Sequence, residues 1–129
     1  MEDTALLDLA EEVARNAYSP YSKFSVGAAI LWKGGEVTTG VNVENASYPL
    51  TVCAERNAVA SGIAQGQRQI SAVAVWANSE NVSPCGACRQ VLAEFSDPNL
   101  NVRVYLVKDG EPTSFLLSAL LPEAFRFDT

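Results

Sequence analysis

Leu6, Leu9, Ala10, Val13 and Ala17 recur at three- and four-residue intervals behind Asp3 and Thr4, which can cap. That period predicts an opening amphipathic helix, closed by Ser19-Pro20. The pattern then changes. From Phe24 to Trp32 both alternating sets of positions are apolar or small, as in a strand covered on both faces. Lys33-Gly34-Gly35-Glu36 is a turn signal, and Val37 to Asn42 reads as the returning strand of a hairpin. After a loop through Asn45 to Pro49, a helical stretch runs from about Cys53 to Ala64. Its Ala54, Ala58, Ala60 and Ala64 permit close approach to a sheet. Ile70 to Trp76 predicts a strand, Pro84 to Phe95 a loop leading into a helix that Asp97-Pro98 ends, and Val102 to Val107 a further strand. Asp109-Gly110 turns the chain, and Ser114 to Leu121 predicts a short final helix stopped by Pro122. A helix, a hairpin, then alternating helices and strands describe one α/β domain over 1–129, with helices on both sheet faces.

Composition narrows the partners. The chain has 129 residues, enough for a single well-buried core without disulfides. No apolar run approaches the roughly 20 residues that cross a bilayer. The start, Met1-Glu2-Asp3-Thr4, is acidic and lacks the basic lead of a secretory signal, so a cytoplasmic location away from membranes is expected. Nine Lys and Arg against fifteen Asp and Glu give a net charge of −6, with no basic cluster. Tracking a polyanion needs cations that neutralise phosphates, so this balance disfavours nucleic acid and leaves small uncharged ligands open.

The cysteines carry the chemistry. There are three, an odd number that argues against a disulfide framework, and there is no histidine. All three fall in two segments, Cys53-Ala54-Glu55 and Pro84-Cys85-Gly86-Ala87-Cys88, each where a loop enters a predicted helix. Cys85 and Cys88 are three apart, which puts their sulfurs on one side of a first helical turn. If the two helix starts lie side by side, three thiols converge. Structural zinc sites usually close with four protein ligands, whereas catalytic ones keep three and leave a place for water. Zinc lowers the pKa of that water to roughly 7, so an open three-sulfur site reads as hydrolytic. Three thiolates make the site net negative. Helix N-termini offset this, and Arg56, three residues after Cys53, could donate to the sulfurs. Glu55, two residues from Cys53, points away from that sulfur on a helix and so belongs beside the metal, where a carboxylate can move protons.

These segments resemble the zinc deaminase signature, in which a Glu serves as general acid and base and Cys replaces His in a three-cysteine version. The likeness extends to Phe24-Ser25-Val26-Gly27-Ala28-Ala29, to Gly40-Val41-Asn42-Val43-Glu44-Asn45-Ala46-Ser47-Tyr48, to Cys53-Ala54-Glu55-Arg56 and to Cys88-Arg89-Gln90-Val91-Leu92. Together they look like the small cytidine deaminases over nearly the whole chain. The resemblance implies a three-layer α/β/α fold around a central mixed five-stranded sheet, one zinc ion per subunit, and a homotetramer whose active sites are shared between subunits. It implies that Asn42 and Glu44 hold the ribose 3′-hydroxyl, that Phe24 packs near the base, and that Ala54 also contacts substrate. Phe125 falls where the family uses an aromatic from another subunit, with Phe127 nearby as a competitor. The reaction implied is hydrolysis of cytidine to uridine and ammonia in pyrimidine salvage, with Glu55 protonating N3 and then the leaving amine.

Other readings stand beside this one. Asn42 and Glu44 could merely end a strand, and Phe24, Phe125 or Phe127 could simply cover the core. A deaminase of a cytosine-bearing aminonucleoside antibiotic would share the zinc centre. A zinc-stabilised binding module would need a fourth protein ligand, for which Glu55 is the obvious candidate.

Overall fold

The computed structural model describes residues 3–79 and 82–127. Asp3–Ala14 forms α1. Its buried residues are Leu6, Leu7, Ala10 and Ala14, a stripe rotated from the expected Leu6, Leu9, Ala10, Val13 and Ala17. The helix stops short of Ala17 because the chain tightens there, with Asn16 and Ala17 N–H donating to Val13 and Ala14 carbonyls. The Tyr18 N–H then leaves the helix to reach the Asn42 carbonyl. The proposed Asp3 cap and the acidic Met1-Glu2 start lie outside the described side chains.

Five strands follow, interleaved with helices: β1 (Val26–Trp32), β2 (Val37–Val41), α2 (Ala54–Ala64), β3 (Ile70–Ala77), α3 (Gly86–Glu94), β4 (Arg103–Lys108), β5 (Glu111–Leu116) and α4 (Leu117–Leu120). A single 3-10 turn at Tyr48–Leu50 precedes α2. The sheet order is β2-β1-β3-β4-β5, mixed as expected, with only β3 and β4 parallel. Both faces are covered. Leu6, Leu7 and Ala10 of α1 pack on Ala29, Ala72 and Ala74. On the other face Ala54, Ala58, Val59, Leu92, Ala93 and Leu117 pack on the alternate set, including Ala28, Ile30, Val73, Val75 and Val104. Each β1 residue thus faces one helical layer or the other, which is why the strand reads as apolar throughout.

The expected helix over Ser114 to Leu121 is corrected: Ser114, Phe115 and Leu116 belong to β5, and α4 is one turn long. Asp109 (φ 52°) and Gly110 (φ 80°) form the tight reversal between β4 and β5, with Lys108 opposite Glu111. Consecutive positive φ is the geometry of a two-residue hairpin loop, so the chain returns as a strand. Pro112 reads as a breaker, yet an edge strand tolerates its missing N–H.

One topological fact positions everything below. β1 is antiparallel to both neighbours, so β2 and β3 run in the same direction on either side of it, Gly27 pairing with Val41 and with Trp76. Their C-terminal ends share one sheet edge, and each leads through a loop into a helix on the same face, β2 into α2 and β3 into α3. The seat of α2 is set by Gly40. A Cβ there would lie 2.3 Å from Ala58 N and 2.6 Å from Ala54 O, so helix and strand meet main chain to main chain. Asn57 Nδ2 donates to the Val41 carbonyl at 2.8 Å, and Thr38 Oγ1 donates to the Ala58 carbonyl at 2.9 Å. Among the described residues no helix is long and apolar enough to cross a membrane.

Candidate metal centre and active site

Cys53 and Cys85 each occupy the last extended position before a helix, and neither side chain caps its own helix. Cys88 sits in the first turn of α3. Because α2 and α3 begin at the same sheet edge, the three Sγ atoms all lie within 4.8 Å of one another. Cys85 Sγ donates to Cys88 Sγ at 3.5 Å. Sulfurs about 2.3 Å from a tetrahedral zinc stand roughly 3.8 Å apart, so this donor set fits the ion by spacing and by softness. Both helix N-termini direct unpaired N–H groups toward the sulfurs' end, which favours the thiolate form. The Cys53 thiol is brought down to about 6, chiefly because Cys88 donates a hydrogen bond to it, with Cys85 and the Arg56 charge helping against burial. Arg56 itself is exposed, and its charge helps to hold the Cys53 thiol down.

Glu55 follows in the first turn of α2 and is only 5 % exposed. Burial raises its carboxyl above the ordinary 4.5, and the nearby Cys53 adds to this, while its own backbone N–H and the Cys88 thiol oppose the shift. Its oxygens are not among the donor atoms that cluster within 4.8 Å, so among the described residues the cluster is the three sulfurs.

A cavity of about 310 Å³ opens beside this centre. Cys53, Cys85 and Glu55 are among its lining residues, together with Phe24, Asn42, Glu44 and Ala54. The 42–44 segment is held rigidly. Val43 exchanges both backbone hydrogen bonds with Val52 at 3.0 Å, and Tyr18 accepts from Glu44 N–H at 2.9 Å. Asn42 is 7 % exposed. Its Oδ1 accepts from Val26 N–H at 3.0 Å, and its Nδ2 donates to the Phe24 carbonyl at 2.7 Å. Glu44 Oε1 accepts from the N–H groups of Tyr21 and Ser22 at 3.0 and 3.2 Å, and its Oε2 accepts from the Ser22 hydroxyl. That hydroxyl is the main reason the Glu44 carboxyl is held below the ordinary range; the two N–H groups and Lys23 add to it, against desolvation. Phe24 does two things at once, packing on the core and facing the cavity.

Phe125 is not brought to this cavity. It and Phe127 are 64 % and 79 % exposed and meet edge to face, with ring centroids 5.2 Å apart. Two residues whose roles the sequence did not single out also emerge. Ser22 sits in a short polar loop like any solvated serine. Arg89 sits beside Cys88 and braces the ligand loop. Its Nε donates to the Pro84 carbonyl at 2.7 Å, Nη1 to the Leu120 carbonyl at 2.6 Å, and Nη2 to Ser83 Oγ at 3.0 Å.

Residues 1–104 match the family model described as the cytidine and deoxycytidylate deaminase zinc-binding region. The chain belongs to this family. It is 46 % identical over 127 residues to a cytidine deaminase of Halalkalibacterium halodurans, covering 97 % of this chain and 95 % of that protein. It is 43 % identical over 126 residues to a cytidine deaminase of Sporosarcina psychrophila, covering 97 % and 92 %. The crystal structure of cytidine deaminase from Burkholderia pseudomallei superposes with a TM-score of 0.89 at 42 % identity, covering 97 % of this chain and all of that one. The family's zinc-binding character agrees with the three-sulfur cluster, and zinc is the cofactor.

Proposed function

We propose that this chain hydrolyses cytidine, and deoxycytidine with it, to uridine or deoxyuridine and ammonia. The observation that carries the reading is the convergence of Cys53, Cys85 and Cys88 near a buried Glu55, at a cavity that Asn42 and Glu44 also line. The relatives that match over most of their length are named cytidine deaminases, which supports the substrate.

Cys53, Cys85 and Cys88 hold the zinc, which when bound supplies a water acidified toward neutrality. Glu55 would take a proton from the attacking water and pass it to N3 of the cytosine ring as the water oxygen adds to C4. The carbon is then tetrahedral. Glu55 takes the remaining proton from the added oxygen and delivers it to the 4-amino group, the C4–N4 bond breaks, and ammonia leaves. Burial suits Glu55 to this work because a carboxylate in a poorly solvated place holds and releases protons nearer neutral pH. Asn42 and Glu44 bind the sugar hydroxyl, Phe24 and Ala54 shape the place of the base, and Arg56 moderates the negative charge of the sulfurs.

We assign the active form to a homotetramer in which Phe125 reaches a neighbouring site. Its exposure, together with the exposed Tyr48 and Leu50 near the cavity mouth, supports a partner of the same kind. The 129 residues act as one catalytic domain, and the setting is cytoplasmic pyrimidine salvage without nucleic acid or membrane, in keeping with the net charge of −6.

The test follows the ultraviolet absorbance of cytidine mixed with zinc-loaded protein, alongside a Glu55→Ala control. Conversion to uridine that is lost in the control is the expected result. An inert zinc-loaded protein would overturn the cytidine assignment and move the search to cytosine-bearing antibiotic nucleosides.

A further inference from the structure

Ser22 borders the cavity and has no part in the scheme above. Its hydroxyl donates to Glu44 Oε2 and accepts from the Phe24 N–H at 3.0 Å. A carboxylate offers about four acceptor positions, two on each oxygen. On Glu44 both positions of Oε1 are filled, by the Tyr21 and Ser22 N–H groups, and one position of Oε2 is filled by the Ser22 hydroxyl. A single acceptor position on Oε2 is left. Asn42 uses one donor on the Phe24 carbonyl and one acceptor position on the Val26 N–H, which leaves one amide hydrogen and one position on Oδ1. A free donor on Asn42 and a free acceptor on Glu44 are what a single hydroxyl takes.

We infer that Ser22 is a positioning residue for the sugar. Its hydroxyl grips Glu44 Oε2 on one side and the Phe24 peptide on the other, fixing the sugar's acceptor relative to the ring that faces the base. Asn42 Nδ2 donates to the Phe24 carbonyl, so the Phe24 main chain is held at its N–H by Ser22 and at its carbonyl by Asn42. The inference rests on the role proposed above for Glu44 and goes beyond it by naming what orients that carboxylate. Ser22 is exposed, and removing its Oγ leaves both N–H bonds to Glu44 Oε1 in place. Loss of the hydroxyl therefore frees the carboxylate to turn without unfolding the loop.

The experiment compares cytidine with 3′-deoxycytidine, which lacks the one hydroxyl, in the zinc-loaded wild type and in Ser22→Ala, Ser22→Thr and Glu44→Gln. Ser22→Ala is expected to raise KM for cytidine roughly fivefold, the scale of one hydrogen bond. Its kcat should stay within about a factor of two and its KM for 3′-deoxycytidine should stay unchanged, while Ser22→Thr restores the cytidine value. An unchanged cytidine KM in Ser22→Ala, or an equal rise for both nucleosides, overturns the role of Ser22 alone, provided Glu44→Gln loses its preference for the 3′-hydroxyl. A Glu44→Gln enzyme that keeps that preference overturns the Glu44 reading and this inference with it.

Discussion

Glu44 and Glu55 bring the same carboxylate to the same cavity, and their surroundings push them in opposite directions. Glu55 lies in the first turn of α2 with almost no exposed surface, and burial raises its carboxyl. Glu44 lies on a loop where a hydroxyl, two N–H groups and Lys23 favour its charged form. The surroundings of the first favour its protonated form, and those of the second favour the charged acceptor. Residue type fixes neither role; desolvation and hydrogen-bond donors do.

The largest effect should come from removing the proton carrier. Glu55→Gln keeps the size and the zinc but not the acid, so kcat should fall by roughly 10² to 10⁴ with one zinc per chain retained. Steady-state rates and metal analysis on the same sample check this, and a drop confined to KM would erase the contrast between the two carboxylates. Glu44→Gln should do the reverse, raising KM about tenfold with kcat nearly intact, as expected for losing a hydrogen bond to a charged group. pH sharpens the point. A depressed carboxyl is already ionised at its ordinary value of 4.5, and its contribution is lost only as pH falls through the lower folded value. Sugar binding should therefore hold steady down to about pH 4.5 and weaken on further acidification, an acid limb in 1/KM that Glu44→Gln should lack. The smallest effect is expected at Arg56, which acts by charge from an exposed position. Arg56→Ala should speed zinc loss to a chelator a fewfold, mostly at low salt where such a charge is least screened.

The sequence carried the chemistry of the metal end more legibly than the walls of the site. Cys53, Cys85 and Cys88 announce themselves because thiols at helix starts have few other uses when no fourth cysteine or histidine exists. The element limits followed from the pattern of the chain to within a residue or two at α2, β1 and β3. β5 was hidden because Ser114 to Leu121 is apolar enough for either period, and the outcome was decided by backbone angles at Asp109 and Gly110 that composition only hints at. Ser22 and Arg89 were hidden for a different reason. Their partners are backbone groups or residues distant in the chain, and only the folded topology brings these within reach. Phe125 is exposed and does not line the cavity of its own chain, so no contact within the chain gives it a use at the site.

The contact at Gly40 bears on how such a site ages under mutation. At Gly40 helix and strand touch through backbone atoms, so at that point no side chain can widen or narrow the gap by changing size. The core around Ala58, Val59 and Ile30 can drift in volume and lose stability by degrees while the distance from the sheet to Cys53 and Glu55 stays gauged by bare backbone. The tolerance of the catalytic machinery is thereby separated from the tolerance of the core: wear should show first as a lower melting temperature, and only much later as a slower enzyme.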